Sequence, residues 1–136
     1  MLLQLKEISP TKRRGLVGFL IGIACLSAAA APPTLDKIAK SGSVVLGYRD
    51  AAAPFAYLDE NKRPVGYSLD ICLKIVDAIK RDLKRNDLAV KYVPVSAATR
   101  LTALTSGEID LECGSTTSTA ERRKQVASTI PTFVAA

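Results

Sequence analysis

From residue 34 onward, short apolar runs of β-branched character alternate with segments whose apolar residues recur at helical spacing. Leu35–Lys40 predicts a short helix, with Thr34 placed to cap it and Gly42 to stop it. Val44–Tyr48 (VVLGY) predicts a buried strand. Phe55–Leu58 and Val65–Tyr67 flank the polar stretch Asp59–Pro64, the pattern of a hairpin. Ile71, Cys72, Ile75, Val76, Ile79 and Leu83 share one face of a 3.6-residue period, and Lys74, Asp77, Lys80 and Asp82 take the other. Ser68 is placed to cap this helix and Asn86-Asp87 to end it. Leu88–Val93 predicts a second strand, followed by a helix carrying Arg100, Leu101 and Leu104 that stops near Gly107. Ile109–Glu112 predicts a third strand and Cys113–Ser118 a polar turn. Thr119 is placed to cap a short helix, Ala120–Gln125, and Thr129–Val134 reads as a further strand. Strands alternating with helices predict an α/β fold on a mostly parallel, doubly wound sheet. The chain ends at Ala136 directly after an apparent strand, which reads as a sequence cut short.

The first thirty residues follow a different pattern. Lys6, Lys12, Arg13 and Arg14 precede the uncharged run Leu16–Leu26 (LVGFLIGIACL), and small residues Ser27–Ala31 follow it. That order predicts a secretory signal peptide over residues 1–30, cut after Ala29 or Ala30, with residues 31–136 as the mature part. The apolar core alone falls short of the roughly 20 residues of a membrane span. A retained single-helix anchor is the alternative. Cys25 as a lipid-anchored cysteine is disfavoured by Gly22, where an aliphatic residue is usual.

Removing this segment changes the charge balance. The chain has 19 basic and 13 acidic residues, a net of +6. Four of the basic residues and one acid fall in residues 1–30, leaving 15 against 12, a net of +3. No Lys/Arg tract with interleaved aromatics occurs, so nucleic acid is not an expected partner. The chain has no His and no ligand cluster at metal spacing, so no metal is expected and a Ser–His–Asp triad is excluded within it. Gly-rich phosphate loops are missing too, and no cofactor is expected. Once Cys25 leaves with the signal, Cys72 and Cys113 remain. In an oxidising compartment they either pair or sit as two small buried apolar residues, and their spacing does not decide between these.

Ligands of open parallel α/β sheets sit beyond the carboxyl ends of the strands. Arg49 directly follows the first strand, Arg100 lies on the helix after the second, and Ser115, Thr116 and Thr117 follow the third. Arg122 lies in the first turn of the next helix. A guanidinium fork matches a carboxylate, and hydroxyls with helix-start N–H groups favour an anion at the same rim. Each residue alone has a plainer reading: a solvated loop charge for Arg49, a surface helix residue for Arg100, an ordinary turn for Ser115–Thr117, and a basic face with Arg123 and Lys124 for Arg122. Asp110 and Glu112 are the nearest thing to an acid pair; for Glu112 a pairing with a neighbouring basic group is the favoured reading over catalysis.

In this order, TLDKIAKSGSVVLGYRD, PFAYLDENKRPVGYSLDICLKIVDAI and LTALTSGEIDLECGSTTSTAERRKQVAST resemble the periplasmic solute-binding proteins of ABC importers for polar amino acids, the glutamate/aspartate-binding group above all. The resemblance covers residues 34–136, and its most specific block is ECGSTTSTAERRKQ, Glu112–Gln125. It implies a two-lobed α/β fold, of which this chain holds part of the first lobe, ending before the second. It implies a monomeric, periplasmic, non-enzymatic binding protein with an inner-membrane ABC permease as partner. Arg49, Ser115, Thr117 and Arg122 match first-lobe ligand contacts, with Arg122 on the α-carboxylate. Arg49 and Arg100 match positions that favour an acidic side chain. One departure is Ala97, where the group often has a Ser; Ser96 is adjacent. The alternatives are a periplasmic enzyme on the same fold (a dehydratase or a murein-cleaving enzyme), for which Glu112 is the available acid, and a ligand-sensing domain of a membrane receptor.

Overall fold

The computed structural model describes residues 34–134. The expected signal segment therefore lies outside the described residues. Helix α1 (Thr34–Ser41) leads into strand β1 (Ser43–Tyr48). Three short strands follow, β2 (Ala51–Ala52), β3 (Ala56–Leu58) and β4 (Pro64–Val65), then helix α2 (Tyr67–Leu83). Strand β5 (Ala89–Pro94), helix α3 (Arg100–Thr105) and strand β6 (Leu111–Cys113) complete the regular elements, with a single 3-10 turn at Arg122–Lys124.

The main sheet has the order β5-β1-β6 and is parallel throughout. β1 is therefore central and buried on both faces, which explains its unbroken apolar run. Side chains of successive strand residues point to opposite faces. Val44, Leu46 and Tyr48 pack with Ile38 of α1 and with Leu69, Cys72 and Val76 of α2. Val45 faces the other way, toward Ala103 of α3 and Ile109. Gly47 shares that second face, where the Ile109 side chain fills the space a Cβ would need. The chain leaves β1 to reach β5 on one side and returns past it to β6 on the other. Helices thus cover both faces, and the doubly wound expectation holds.

β2, β3 and β4 form a separate antiparallel sheet. The expected hairpin is present, but its second arm is Pro64–Val65 and Tyr67 already belongs to α2. Ser68 does not cap α2. Gly66 takes that place with φ +132°, and the first N–H groups of the helix go to the carbonyls of Pro54 and Phe55 at 3.0 and 2.9 Å. A side chain at Gly66 would put its Cβ 2.6 Å from the Phe55 carbonyl oxygen, so the tight entry requires glycine. At the far end, Lys84 adopts φ +53° and closes the helix ahead of Asn86-Asp87.

Two expectations near the carboxyl end fail. Ala120–Gln125 is not an α-helix; only Arg122–Lys124 winds, as a 3-10 turn. Thr129–Val134 forms no strand. Pro131 breaks its donor row, and Ile130 and Val134 are 83% and 81% exposed, so no sheet face covers them. The third strand also starts later than expected, at Leu111: the Asp110 amide still donates to the Val45 carbonyl, but it is the Asp110 carboxylate that accepts from the Val45 amide.

Both oxygens of Asp110 are engaged. Oδ1 accepts from Lys37 Nζ at 2.8 Å, and Oδ2 accepts from the Val45 amide at 2.8 Å. The carboxylate is fully buried, and the Asp110 amide donates to the Val45 carbonyl at 2.8 Å. Lys37 also donates to the Gly107 carbonyl at 2.5 Å. On the opposite face, Cys72 of α2 and Cys113 of β6 are joined as a disulfide, with Cα atoms 6.2 Å apart. Asp110→Ala leaves the Lys37 ammonium and the Val45 N–H without their partner and should cost about 2–4 kcal/mol in urea denaturation; a loss below about 0.5 kcal/mol contradicts the clamp. The disulfide closes a loop with a sequence separation of 41, so reduction should cost about 2–4 kcal/mol in the same assay.

Candidate ligand-binding site

The parity of β1 decides where Arg49 goes. Tyr48 closes the α2 face, so the next residue turns toward the α3 face, the side on which Glu112 leaves β6. Gly114 lets the two meet. A Cβ there would lie 2.5 Å from Glu112 Oε1 and 3.3 Å from Arg49 Cγ. Arg100 arrives from the third direction as the first residue of α3, and it is only 7% exposed. Its helix is started by Ser96 and Thr99. The Ser96 hydroxyl accepts from the amides of Ala98 and Thr99 at 3.2 and 3.1 Å, and Thr99 Oγ1 accepts from the Ser96 amide at 3.0 Å. This reciprocal pair is a capping arrangement, so the hydroxyl beside Ala97 is spent on the backbone.

The loop after β6 is held by long-range contacts. The Ser68 hydroxyl donates to the Gly114 carbonyl at 3.0 Å, tying the loop to the start of α2. Arg122 Nη1 donates to the Thr117 carbonyl at 2.8 Å, so this guanidinium folds back over the hydroxyl loop. Ser115, Thr117 and Arg122 then line one open cleft of about 700 Å³, together with Ser68, Glu112 and Phe55. Phe55 contacts Phe133 edge-to-face at 5.0 Å, and Tyr67 Oη donates to the Thr132 carbonyl at 2.7 Å, so the chain after the 3-10 turn forms one wall.

The expected site residues therefore fall into two linked groups. Ser115, Thr117 and Arg122 share the cleft wall, and Arg49 and Arg100 stand behind it; Glu112 joins the two. Burial raises the Glu112 carboxyl above its ordinary pKa, while the Thr116 hydroxyl and then Arg100, Arg49 and Arg122 pull it down. Burial likewise lowers Arg100; Glu112 opposes that shift, and Arg122 and Arg49 add to it. Arg100 remains charged regardless, as a guanidinium does in proteins. Arg100 Nε, Glu112 Oε1 and Thr116 Oγ1 are buried without a hydrogen-bond partner. The Thr116 hydroxyl thus faces the carboxylate without completing a bond to it. A cleft lined by the Arg122 guanidinium and two exposed hydroxyls, with two further guanidinium groups acting on the Glu112 carboxylate at its wall, is suited to binding a small anion.

Sequence reasoning undervalued Glu112, since the expected direct pair with a basic group is not made: no ion pair within 4.0 Å involves it among the described residues. Ser68 was missed as a loop anchor, because its partner lies 46 residues away and no local pattern marks it.

Comparison with known proteins gives the arrangement a context. The family model for bacterial extracellular solute-binding proteins, family 3, matches residues 44–136. The chain is 46% identical over 108 residues to a glutamate/aspartate import solute-binding protein of Escherichia coli (strain K12), covering 79% of this chain and 36% of that protein. It is 46% identical over 101 residues to an L-glutamate/L-aspartate-binding protein of Pseudomonas aeruginosa, covering 74% and 33%. The chain thus spans about a third of the length of these curated relatives. Among solved structures, a point mutant of the arginine-bound form of domain 1 from TmArgBP superposes with a TM-score of 0.63 at 27% identity, covering 73% of this chain and 71% of that one. The parallel three-stranded sheet, the loop after β6 and the family match over residues 44–136 converge: this chain belongs to the bacterial extracellular solute-binding proteins, family 3.

Proposed function

We propose that this chain forms the first ligand-binding lobe of the extracytoplasmic component of an amino-acid ABC importer, with glutamate, aspartate or a related polar amino acid as ligand. The observation that carries the reading is that Arg122 donates to the Thr117 carbonyl and Arg49 packs near Gly114 of the hydroxyl loop, while both of them and Arg100 act on the Glu112 carboxylate. Such a cluster suits a ligand with more than one carboxylate. Arg122, at the cleft wall beside Thr117, takes the α-carboxylate. Arg49 and Arg100 favour a side-chain carboxylate farther in. Ser115 and Thr117 supply hydroxyls that accept from the ammonium group or donate to a carboxylate. The names of the two curated relatives above, which specify glutamate and aspartate, support the same ligand class.

The lobe acts by binding rather than by catalysis. Its partner is an inner-membrane permease, and it works as a monomer in the periplasm after loss of residues 1–30. A single lobe can hold ligand by itself: domain 1 from TmArgBP has been solved in an arginine-bound form. Exposed ion pairs contribute only about 0–1 kcal/mol each, so affinity in an open cleft is modest.

Calorimetry of the chain with L-glutamate, L-aspartate, L-glutamine and glycine tests the reading. Binding is expected for the acidic pair above the neutral pair, and no binding of any of the four defeats it. Arg122→Ala should weaken all ligands by up to about 5-fold, the loss of one ion pair in an open cleft. Arg100→Ala should weaken the acidic ligands selectively. Mass spectrometry of the protein recovered from the cell envelope should show residues 1–30 removed; an intact amino terminus favours the anchored sensor instead.

A further inference from the structure

Glu112 is a costly residue to place where it stands. A carboxylate with a buried oxygen that accepts no hydrogen bond has lost water without full replacement. Its surroundings nevertheless hold three guanidinium groups, one from each neighbouring element: Arg49 after β1, Arg100 on α3 and Arg122 on the 3-10 turn. Thr116 on its own loop faces it with a hydroxyl, and Gly114 provides the gap its Oε1 enters. Asp110, the nearest acid on the same segment, is spent on Lys37 and the Val45 amide. Glu112 is therefore the local counter-charge of the arginine cluster, and an anion entering the cleft meets it beside Arg122, with Arg49 and Arg100 acting on the same carboxylate.

Resting on the reading of this cleft as an anion site, we propose that Glu112 is a specificity-determining residue: its carboxylate balances the guanidinium cluster when no anion is bound, and it takes up a proton when an acidic ligand brings that charge instead. The sign follows from linkage. A ligand carboxylate beside Glu112 disfavours its charged form, so its pKa in the complex lies above that in the free protein. The complex then holds more protons than its separate parts between the two values. Affinity for an acidic ligand consequently rises as the pH falls through that window. Burial already raises the carboxyl in the free protein, which moves the window toward neutrality. No covalent step is involved; the proton comes from solvent. A zwitterion with an uncharged side chain adds no net charge, so it should draw a smaller uptake. Glu112 thus couples ligand charge to pH and discriminates acidic from neutral amino acids in a pH-dependent way.

The test is calorimetry of the full chain with L-glutamate in MES and in Bis-Tris, buffers of different ionisation enthalpy, between about pH 5.5 and pH 7. The expected result is a net uptake of up to about one proton per glutamate bound. Uptake should be smaller with L-glutamine and close to zero in Glu112→Gln, where only the ligand's own groups can titrate. Because a buried substitution can fail to fold, the carboxyl-carbon resonance of Glu112 in the native chain provides a second readout. Its titration midpoint should move upward when glutamate saturates the protein. Glutamate binding with no proton uptake, with the same uptake in a folded Glu112→Gln, or with a stationary Glu112 midpoint overturns this inference and leaves the anion site standing. Failure of every amino acid to bind overturns both.

Discussion

One carboxylate sets the geometry on which the site depends. Asp110 replaces a rung of the parallel ladder with its own side chain, holding the Val45 amide on one oxygen and the Lys37 ammonium on the other. It therefore fixes β6 against β1 in a single register, Leu46 opposite Leu111 and Tyr48 opposite Cys113. A slip of one residue would exchange the two faces of β6. Glu112 would then point into the α2 core, and Cys113 would lose Cys72. The buried ion pair is a means of specifying alignment here, and the loop after β6 inherits that alignment.

The same register explains how one short strand serves two purposes. Leu111 and Cys113 face α2 and close the larger apolar cluster, with the disulfide fixing that face. Glu112 lies on the α3 side, where Arg100 and Arg49 act on its carboxylate without a close ion pair among the described residues. Two glycines on this side leave room for neighbouring side chains. Gly47 makes room for the Ile109 side chain, and Gly114 makes room for Glu112 and Arg49. The cleft thus rests on a rigid apolar support while its own lining is polar and incompletely satisfied. Buried polar atoms without partners are uncommon in folded proteins, and three of them, Arg100 Nε, Glu112 Oε1 and Thr116 Oγ1, belong to this one cluster.

Charge in this region is balanced rather than accumulated. Three guanidinium groups without a counter-charge would repel one another in a partly desolvated pocket, and Arg100 already bears the cost of burial. Glu112 relieves that repulsion without blocking the donors, because it forms no close ion pair among the described residues. Apart from the Arg122 Nη1 bond to the Thr117 carbonyl, the guanidinium forks are not tied up in a tight salt bridge among the described residues.

The local pattern of the chain was sufficient for most of the architecture. The apolar run of Val44–Tyr48, the helical period from Ile71 to Leu83 and the turn residues between them carry their own signals, since burial periodicity is a property of neighbouring residues. The placement of Arg49, Ser115 and Thr117 just past strand ends was legible for the same reason, once the sheet was taken as parallel. Thr129–Val134 misled because its apolar content matches a strand while Pro131 and the lack of a covering face forbid one. Tertiary structure alone decided the rest. It alone places Cys113 against Cys72, gives Ser68 to the Gly114 carbonyl rather than to its own helix, and turns Glu112 toward three arginines. These depend on register and on partners tens of residues away, and sequence spacing cannot encode which faces meet when elements pack.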